Sequence, residues 1–374
     1  MCHDENVAQP QDHLDATLIA ADFHGGLGNE DSAPSDTTER LSPQGWKYAL
    51  KRVLGDILPD GLLDLAALLT FFSILSLAPA LLVGYSLITL FLASDSSAIL
   101  SSVRELVPQY VPEEQADVVL GVIDSVAGSA TGGRVGIIVG LVVALWTSSA
   151  YVRAFSRCAN AVYGRSEGRT IWKQWGMMFL LNIGLLLGAI IILVSWVLNE
   201  SLVKGLLAPI AEPLRLTEEV SFLTDTFIPV WNWVRWPVII IVLIMFVATL
   251  YHWAPNARPW KFRWLSIGSV FAIGGIIFAG GALDLYFTYF AAFNTYGAVS
   301  SVIAIVIALW IYNICLIIGL KIDVEISRAR QLQAGLPAEN FNLVPPRSIE
   351  AVAKLKQRQQ ELVDEARQLR EGAN

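Results

Sequence analysis

Charge is what this sequence has least of. Only 16% of its 374 residues are Asp, Glu, Lys or Arg, against 54% that are hydrophobic. The mean hydropathy is +0.53, whereas a soluble domain carries nearer a quarter charged residues. Cysteine is scarce: Cys2 lies in a polar tail, while Cys158 and Cys315 fall in or beside apolar segments. None is paired at metal-knuckle spacing, which excludes a zinc site and a disulfide framework. Histidine is equally thin, with His3, His13 and His24 in the tail and His252 by itself. A hydrolytic metal site needs His and carboxylate ligands converging on a rigid frame, and no such set is in prospect. P-loop, G-x-S-x-G and H-E-x-x-H patterns are missing. Basic residues are spread over short loops without the interleaved aromatics of single-strand binding, so nucleic acid is not an expected partner. The first sixty residues lack the apolar core of a signal peptide. A non-enzymatic protein with no metal and no cofactor is the expectation.

What the sequence has instead is long apolar runs. Six cover residues 62–92, 135–151, 175–198, 236–251, 265–290 and 299–322. An α-helix needs about 20 such residues to cross a bilayer. A lone segment in lipid can satisfy its backbone only internally, so each must be helical. The predicted fold is therefore all-α: a polytopic membrane protein with six spans, Pro79 kinking the first. Residues 1–41 are polar and aperiodic and are expected to be disordered. Residues 42–330 form the membrane domain. It opens with an amphipathic surface helix over 44–57, where Trp46, Ala49, Leu50, Val53 and Leu54 alternate with Lys47, Lys51 and Arg52. Residues 331–374 supply a linker (337–346) and a final helix with Ser348 as its N-cap. There Val352, Leu355, Gln359, Leu362, Ala366 and Leu369 alternate three and four apart, as in a coiled-coil seam. That helix docks on its own protein or joins a second copy or partner.

The flanks orient the spans. Arg153, Arg157, Arg165, Arg169 and Lys173 follow the second span, and Arg258, Lys261 and Arg263 follow the fourth. The loops at 101–126 and 201–233 are acidic, with Glu113, Glu114, Glu218 and Glu219 among their residues. Cytoplasmic flanks carry excess Lys and Arg, so both termini are expected in the cytoplasm. The two acidic loops also carry apolar residues at helical intervals and are expected to form short external amphipathic helices.

Several stretches are more particular than generic membrane sequence. They are Leu65-Ala-Ala-Leu-Leu-Thr-Phe-Phe-Ser-Ile-Leu-Ser-Leu-Ala-Pro79, then Leu145-Trp-Thr-Ser-Ser with Asn160-Ala-Val-Tyr163, Glu167, Arg169 and Trp172. Next come Tyr251-His-Trp-Ala-Pro-Asn-Ala-Arg-Pro-Trp260 with Gly268, and Asn294-Thr-Tyr-Gly297 with Trp310-Ile-Tyr312, Gly319 and Glu325. Over about residues 45–330 the chain resembles the YihY/BrkB family of bacterial membrane proteins, formerly labelled ribonuclease BN. The resemblance implies six membrane helices in the bacterial inner membrane. It also implies a link to envelope lipids or to resistance against host killing, as for virulence factors, with the nuclease label a misassignment. The chain departs from the family's pattern at Lys321, where an acid is usual, and at Gly274 and Gly275, near a usual tryptophan.

Three places carry candidate chemistry. Ser149, Arg153, Ser156 or Arg157, Asn160 and Tyr163 repeat at three and four along the second span's end. Two arginines with an amide and a phenol suit a phosphate or carboxylate, since Arg donates bidentate bonds to oxyanions; alternatively the arginines only snorkel to the interface. In the turn Pro255-Asn-Ala-Arg-Pro-Trp260, Asn256 and Arg258 join the same predicted head-group site, or the turn is purely structural. Asp284, the one carboxylate well inside a span, is a candidate for proton or cation coupling. Gly132, Gly136 and Gly140 read as a close-packing face. The function expected is transport or flipping of an anionic envelope amphiphile, with membrane lipids as partners; a scaffold role through the C-terminal helix is the alternative.

Overall fold

The computed structural model describes residues 13–26, 40–91, 120, 142, 145–197, 226–259, 262–289 and 298–372. Among these residues there are nine helices and no strand. They are α1 (His13–Gly26), α2 (Pro43–Asp56), α3 (Leu62–Phe91), α4 (Ala150–Val162), α5 (Ile171–Val197), α6 (Ile228–Trp253), α7 (Ile267–Tyr289), α8 (Ala298–Gln333) and α9 (Glu350–Gly372).

Four helices are long and apolar enough to cross a membrane: Ile171–Ser195, Ile228–Trp253, Ile267–Tyr286 and Val302–Gln333. They stand where the third to sixth spans are predicted. α3 occupies the place of the first, running unbroken through Pro79. The second (135–151), the external loops at 101–126 and 201–225, the Gly132–Gly136–Gly140 face and Asn294-Thr-Tyr-Gly297 lie wholly or largely outside the described residues. Hydroxyls inside the spans bond back to their own helix, Thr70 to the Ala66 carbonyl at 2.8 Å and Ser73 to that of Leu69 at 2.9 Å. α7 and α8 cross at Gly268 and Gly319, where a Cβ on either would strike the other's carbonyl. With no apolar gain from helix contact in lipid, such close approach gives the attraction.

The largest buried cluster lies at the basic end of the bundle. Phe155 and Val152 of α4, Leu69 of α3, Met178 of α5, Tyr251 of α6 and Ile317 of α8 meet there. Phe155 stacks on Tyr251 with centroids 6.3 Å apart.

Several boundaries differ from the sequence reading. Disorder is expected over 1–41, yet 13–26 is helical. Its Ala16, Ile19 and Phe23 pack on Leu332, Leu336, Phe341 and Leu343. An isolated helix of this length is marginal in water, so these tertiary contacts hold it. α6 starts at Ile228 rather than Trp236, with Pro237 inside it. α8 runs to Gln333 rather than 322 because its later charges find partners on the protein. The surface helix predicted over 44–57 is α2, with Ser42 accepting from the Gly45 N–H at 3.1 Å as its cap. One face packs Ala49 on Ile326 and Ala329. Trp46, Leu50 and Leu54 are left exposed. α9 docks only at its start, where Val352 is buried; Leu355, Leu362, Val363 and Leu369 are exposed.

Candidate functional site

The polar stripe of α4 straddles the edge of that helix's buried face. Residues turn about 100° each around a helix axis, so Ser156, Asn160 and Tyr163 fall on one side of the stripe and Arg153 and Arg157 on the other. The first three are buried and Arg157 is exposed. Arg157 lies over the Phe72 ring at 5.4 Å, and Arg153 over Trp146 at 5.6 Å. Arg153 also donates to Ser149 Oγ and, at 3.4 Å, to the Trp146 carbonyl. Trp146 in turn meets Trp175 edge-on at 4.9 Å, and Trp175 meets Trp172 at 6.2 Å. Among the described residues neither arginine has a carboxylate within ion-pair distance, although they stand one turn apart and repel. Among the described residues the two cations thus share an aromatic belt without a carboxylate in ion-pair reach.

The other half of the stripe is tied into a knot. Arg169 and Glu167 form a two-bond fork, Nε to Oε1 at 2.7 Å and Nη2 to Oε2 at 2.8 Å. Arg169 also donates to the Ala254 carbonyl at 2.8 Å and to Ser156 Oγ at 3.1 Å. Asn160 gives an N–H to Glu167 Oε2 at 2.9 Å, and its oxygen accepts from the Asn256 backbone at 2.6 Å. The Asn256 side chain donates to the carbonyls of Ser166 and Ser348, both at 3.0 Å, and accepts from the Ser348 N–H at 3.1 Å. The Ser348 hydroxyl closes the circuit on the Gly168 carbonyl at 2.9 Å. A Cβ at Gly168 would collide with the Ser348 carbonyl. Asn160 and Asn256 therefore spend their polar atoms joining the α4–α5 loop, the turn after α6 and the strap before α9. The Arg258 side chain is exposed, and its backbone N–H donates to the Pro345 carbonyl at 2.8 Å.

Arg165 staples a further layer. It is 2% exposed and donates to the carbonyls of Ala16, Asn342 and Val344, the last at 2.8 Å. Burial, with Arg328 nearby, pushes its guanidinium down to about 10, so it stays charged at neutral pH. Arg347 is pushed down to about 10 in the same way, by burial and then by Arg169 and Arg258.

Two groupings were not visible as sites in the sequence. One is an ionic cluster joining α2 to α8. Glu325, fully buried, stands 3.0 Å from Lys321, 3.2 Å from Arg328 and 3.3 Å from Arg52. Lys321 reaches Asp56 at 2.9 Å and Asp60 at 2.8 Å. Its signal was the i, i+4 and i, i+3 spacing of Lys321, Glu325 and Arg328, legible only once α8 is known to continue. The departure at Lys321 is thus matched by acids from the end of α2 and the turn after it. The other grouping is a polar cavity bordered by Tyr163, between the end of α6 and the last third of α8. Asp284 is on α7, exposed, and among the described residues makes no hydrogen bond or ion pair. Gly281, one turn back on α7, has open space at its Cβ position. Among the described residues no three His, Cys, Asp or Glu side chains converge as metal ligands.

The structure thus brings Asn160 to Asn256 and Arg153 to Arg157, and gives Tyr163 to the cavity. The candidate residues form three neighbouring places rather than one site.

Against known proteins, the ribonuclease-like protein YfkH of Bacillus subtilis (strain 168) is 27% identical over 203 residues. That stretch covers 52% of this chain and 66% of YfkH, just under two thirds of its length. No solved structure matches the chain significantly. The sequence profile of the virulence factor BrkB family matches residues 53–341, which takes in the knot except Ser348, the arginine pair and all four candidate spans. The chain belongs to the virulence factor BrkB family, a family of membrane proteins.

Proposed function

We propose that this membrane protein transports or flips an anionic envelope amphiphile, such as a phospholipid or a lipid precursor, across the bacterial cytoplasmic membrane. The head group is held at Arg153 and Arg157. One observation carries the reading: two arginines a turn apart, in an aromatic belt, with no acid in ion-pair reach among the described residues. Paired guanidinium groups at that position suit a phosphate, to which guanidinium donates in bidentate fashion. Trp146, Trp172 and Trp175 are the amphipathic rings that favour the head-group level. Asn160 and Asn256 act behind this site, fixing α4 rather than touching the lipid.

The test compares Arg→Lys with Arg→Ala at both positions, scored by expression and by binding of anionic lipid. Each charge-assisted bond is worth about 1.5–3 kcal/mol, so losing one weakens binding roughly tenfold or more. Lys supplies charge without the planar fork. Normal expression with weakened binding in the Lys variants is expected. Lys variants that express and bind like the parent would make the pair a topological anchor only.

A second reading, a membrane scaffold, rests on α9. Its seam residues Leu355, Leu362 and Leu369 are exposed, as a partner-seeking helix requires. Loss of function on removing residues 350–372, with both arginines dispensable, would favour it.

A further inference from the structure

A cavity of about 110 Å³ opens at the basic end of the bundle, between the end of α6, the side chains of Pro259, Arg263 and Ser266, and the last third of α8. Its lining includes Tyr163, His252, Arg263, Ser266, Asp323 and Arg330. The balance of charge is positive, two guanidinium groups to one carboxylate. That carboxylate is already engaged: Asp323 Oδ1 accepts from the Gly268 N–H at 2.9 Å, and Oδ2 accepts from the Ser266 hydroxyl. It caps the start of α7, and both Arg263 and Arg330 lie within its electrostatic reach.

Tyr163 is the second, independent observation. It is 7% exposed, and among the described residues its hydroxyl makes no hydrogen bond. Buried tyrosine hydroxyls ordinarily find a partner. Tyr251, in the same lining, does so by donating to the Leu316 carbonyl at 2.6 Å. Burial holds the Tyr163 phenol well above the ordinary tyrosine range, so it is a donor and not an anion at neutral pH. The cavity thus meets the hydroxyl of a buried tyrosine and two guanidinium groups.

We infer that this cavity binds a tetrahedral oxyanion of the phosphate type, taking the Tyr163 hydroxyl as donor and Arg263 and Arg330 as counter-charge. Size agrees: a single water needs roughly 10–15 Å³ of such space, so the cavity admits several waters or a phosphate group. The phosphate comes either from a soluble phosphate or from a lipid head group inserted from the neighbouring bilayer. The inference does not depend on Arg153 and Arg157, which lie on the opposite side of the α4 stripe.

The test uses the full chain in nanodiscs and isothermal titration calorimetry. Inorganic phosphate is titrated into nanodiscs of phosphatidylcholine alone; in a second arm, phosphatidic acid is titrated as mixed micelles. Saturation by inorganic phosphate assigns the soluble source, and saturation by phosphatidic acid alone assigns the head group; either supports the site. Tyr163→Phe keeps ring and packing and removes only the donor, so affinity should fall about tenfold, as for loss of one charge-assisted bond. Arg330→Gln should lower it at least as far, while Arg153→Ala leaves inorganic phosphate binding unchanged. No saturable binding in either arm, or a Tyr163→Phe protein that binds like the parent, would overturn the inference.

Discussion

At the scale of single residues, polar side chains at the basic end divide by whether their partners are protein or not. Glu167 and Arg169 are each other's counter-ions in a nearly closed environment. Removing one partner of a buried pair leaves the other charge uncompensated and costs about 3–5 kcal/mol. Glu167→Gln is therefore expected to lower thermal stability sharply, read by fluorescence-detected size exclusion after heating. Asn256→Ala strands acceptors on Ser166 and Ser348 and the donor of the Ser348 N–H, with an expected loss of about 2–3 kcal/mol on the same assay. Lys321 is a sharper case, because its three acids come from α2, the turn after it and α8. Lys321→Met should destabilise by about 3–5 kcal/mol, leaving Glu325 with less compensation. Lys321→Arg should retain most of the stability, and if Met is tolerated as well as Arg the cluster is not what joins α2 to α8.

At the scale of elements, helices were legible where lipid dictates them and illegible where the protein does. The apolar runs at 175–198 and 265–290 reproduce α5 and α7 to within a few residues, because hydrophobic length is written in the sequence itself. α1 was missed since its apolar residues show no strong period; it is held by Phe341 and Leu343, more than three hundred residues away. The extra length of α8 was hidden for the same reason: Asp323, Glu325 and Arg328 look like a solvated end until Arg52 and Ser266 are placed against them. The site was half legible. Spacing identified Arg153, Arg157, Asn160 and Tyr163, but about 100° per residue cannot say where a stripe crosses from buried to exposed. The docking of α1 carries its own prediction. A fully buried apolar side chain is worth about 1.5–3 kcal/mol, and Ile19 and Phe23 are partly covered. Deleting residues 1–26 should lower stability by about 2 kcal/mol and speed proteolysis between 334 and 347. Unchanged proteolysis would show that α1 is not needed to hold that strap.

At the scale of the whole molecule, the knot, the Arg165 staple and the ionic cluster gather both terminal segments onto one end of the bundle. Ala16 of α1 and Val344 before α9 accept from the same guanidinium, so these segments lie on one side of the membrane. The arginines at that end are numerous, and positive flanks face the cytoplasm. The relative's ribonuclease-like name has a concrete test of its own. Protein purified free of contaminating nucleases is expected to leave RNA intact, with or without divalent metal. Activity lost on changing one residue of this chain would reverse that view. Orientation is tested independently by single cysteines in a background where Cys2, Cys158 and Cys315 are replaced by Ala. A membrane-impermeant maleimide added to intact cells should label position 114 or 219 in the acidic loops. It should not label position 258, which is exposed yet sits on the terminal side beside Pro345. Permeabilising the cells should restore labelling at 258, which separates protection by the membrane from burial. Labelling at 258 in intact cells would invert the topology. The arginine pair and the phosphate cavity would then face outward, toward the periplasmic leaflet.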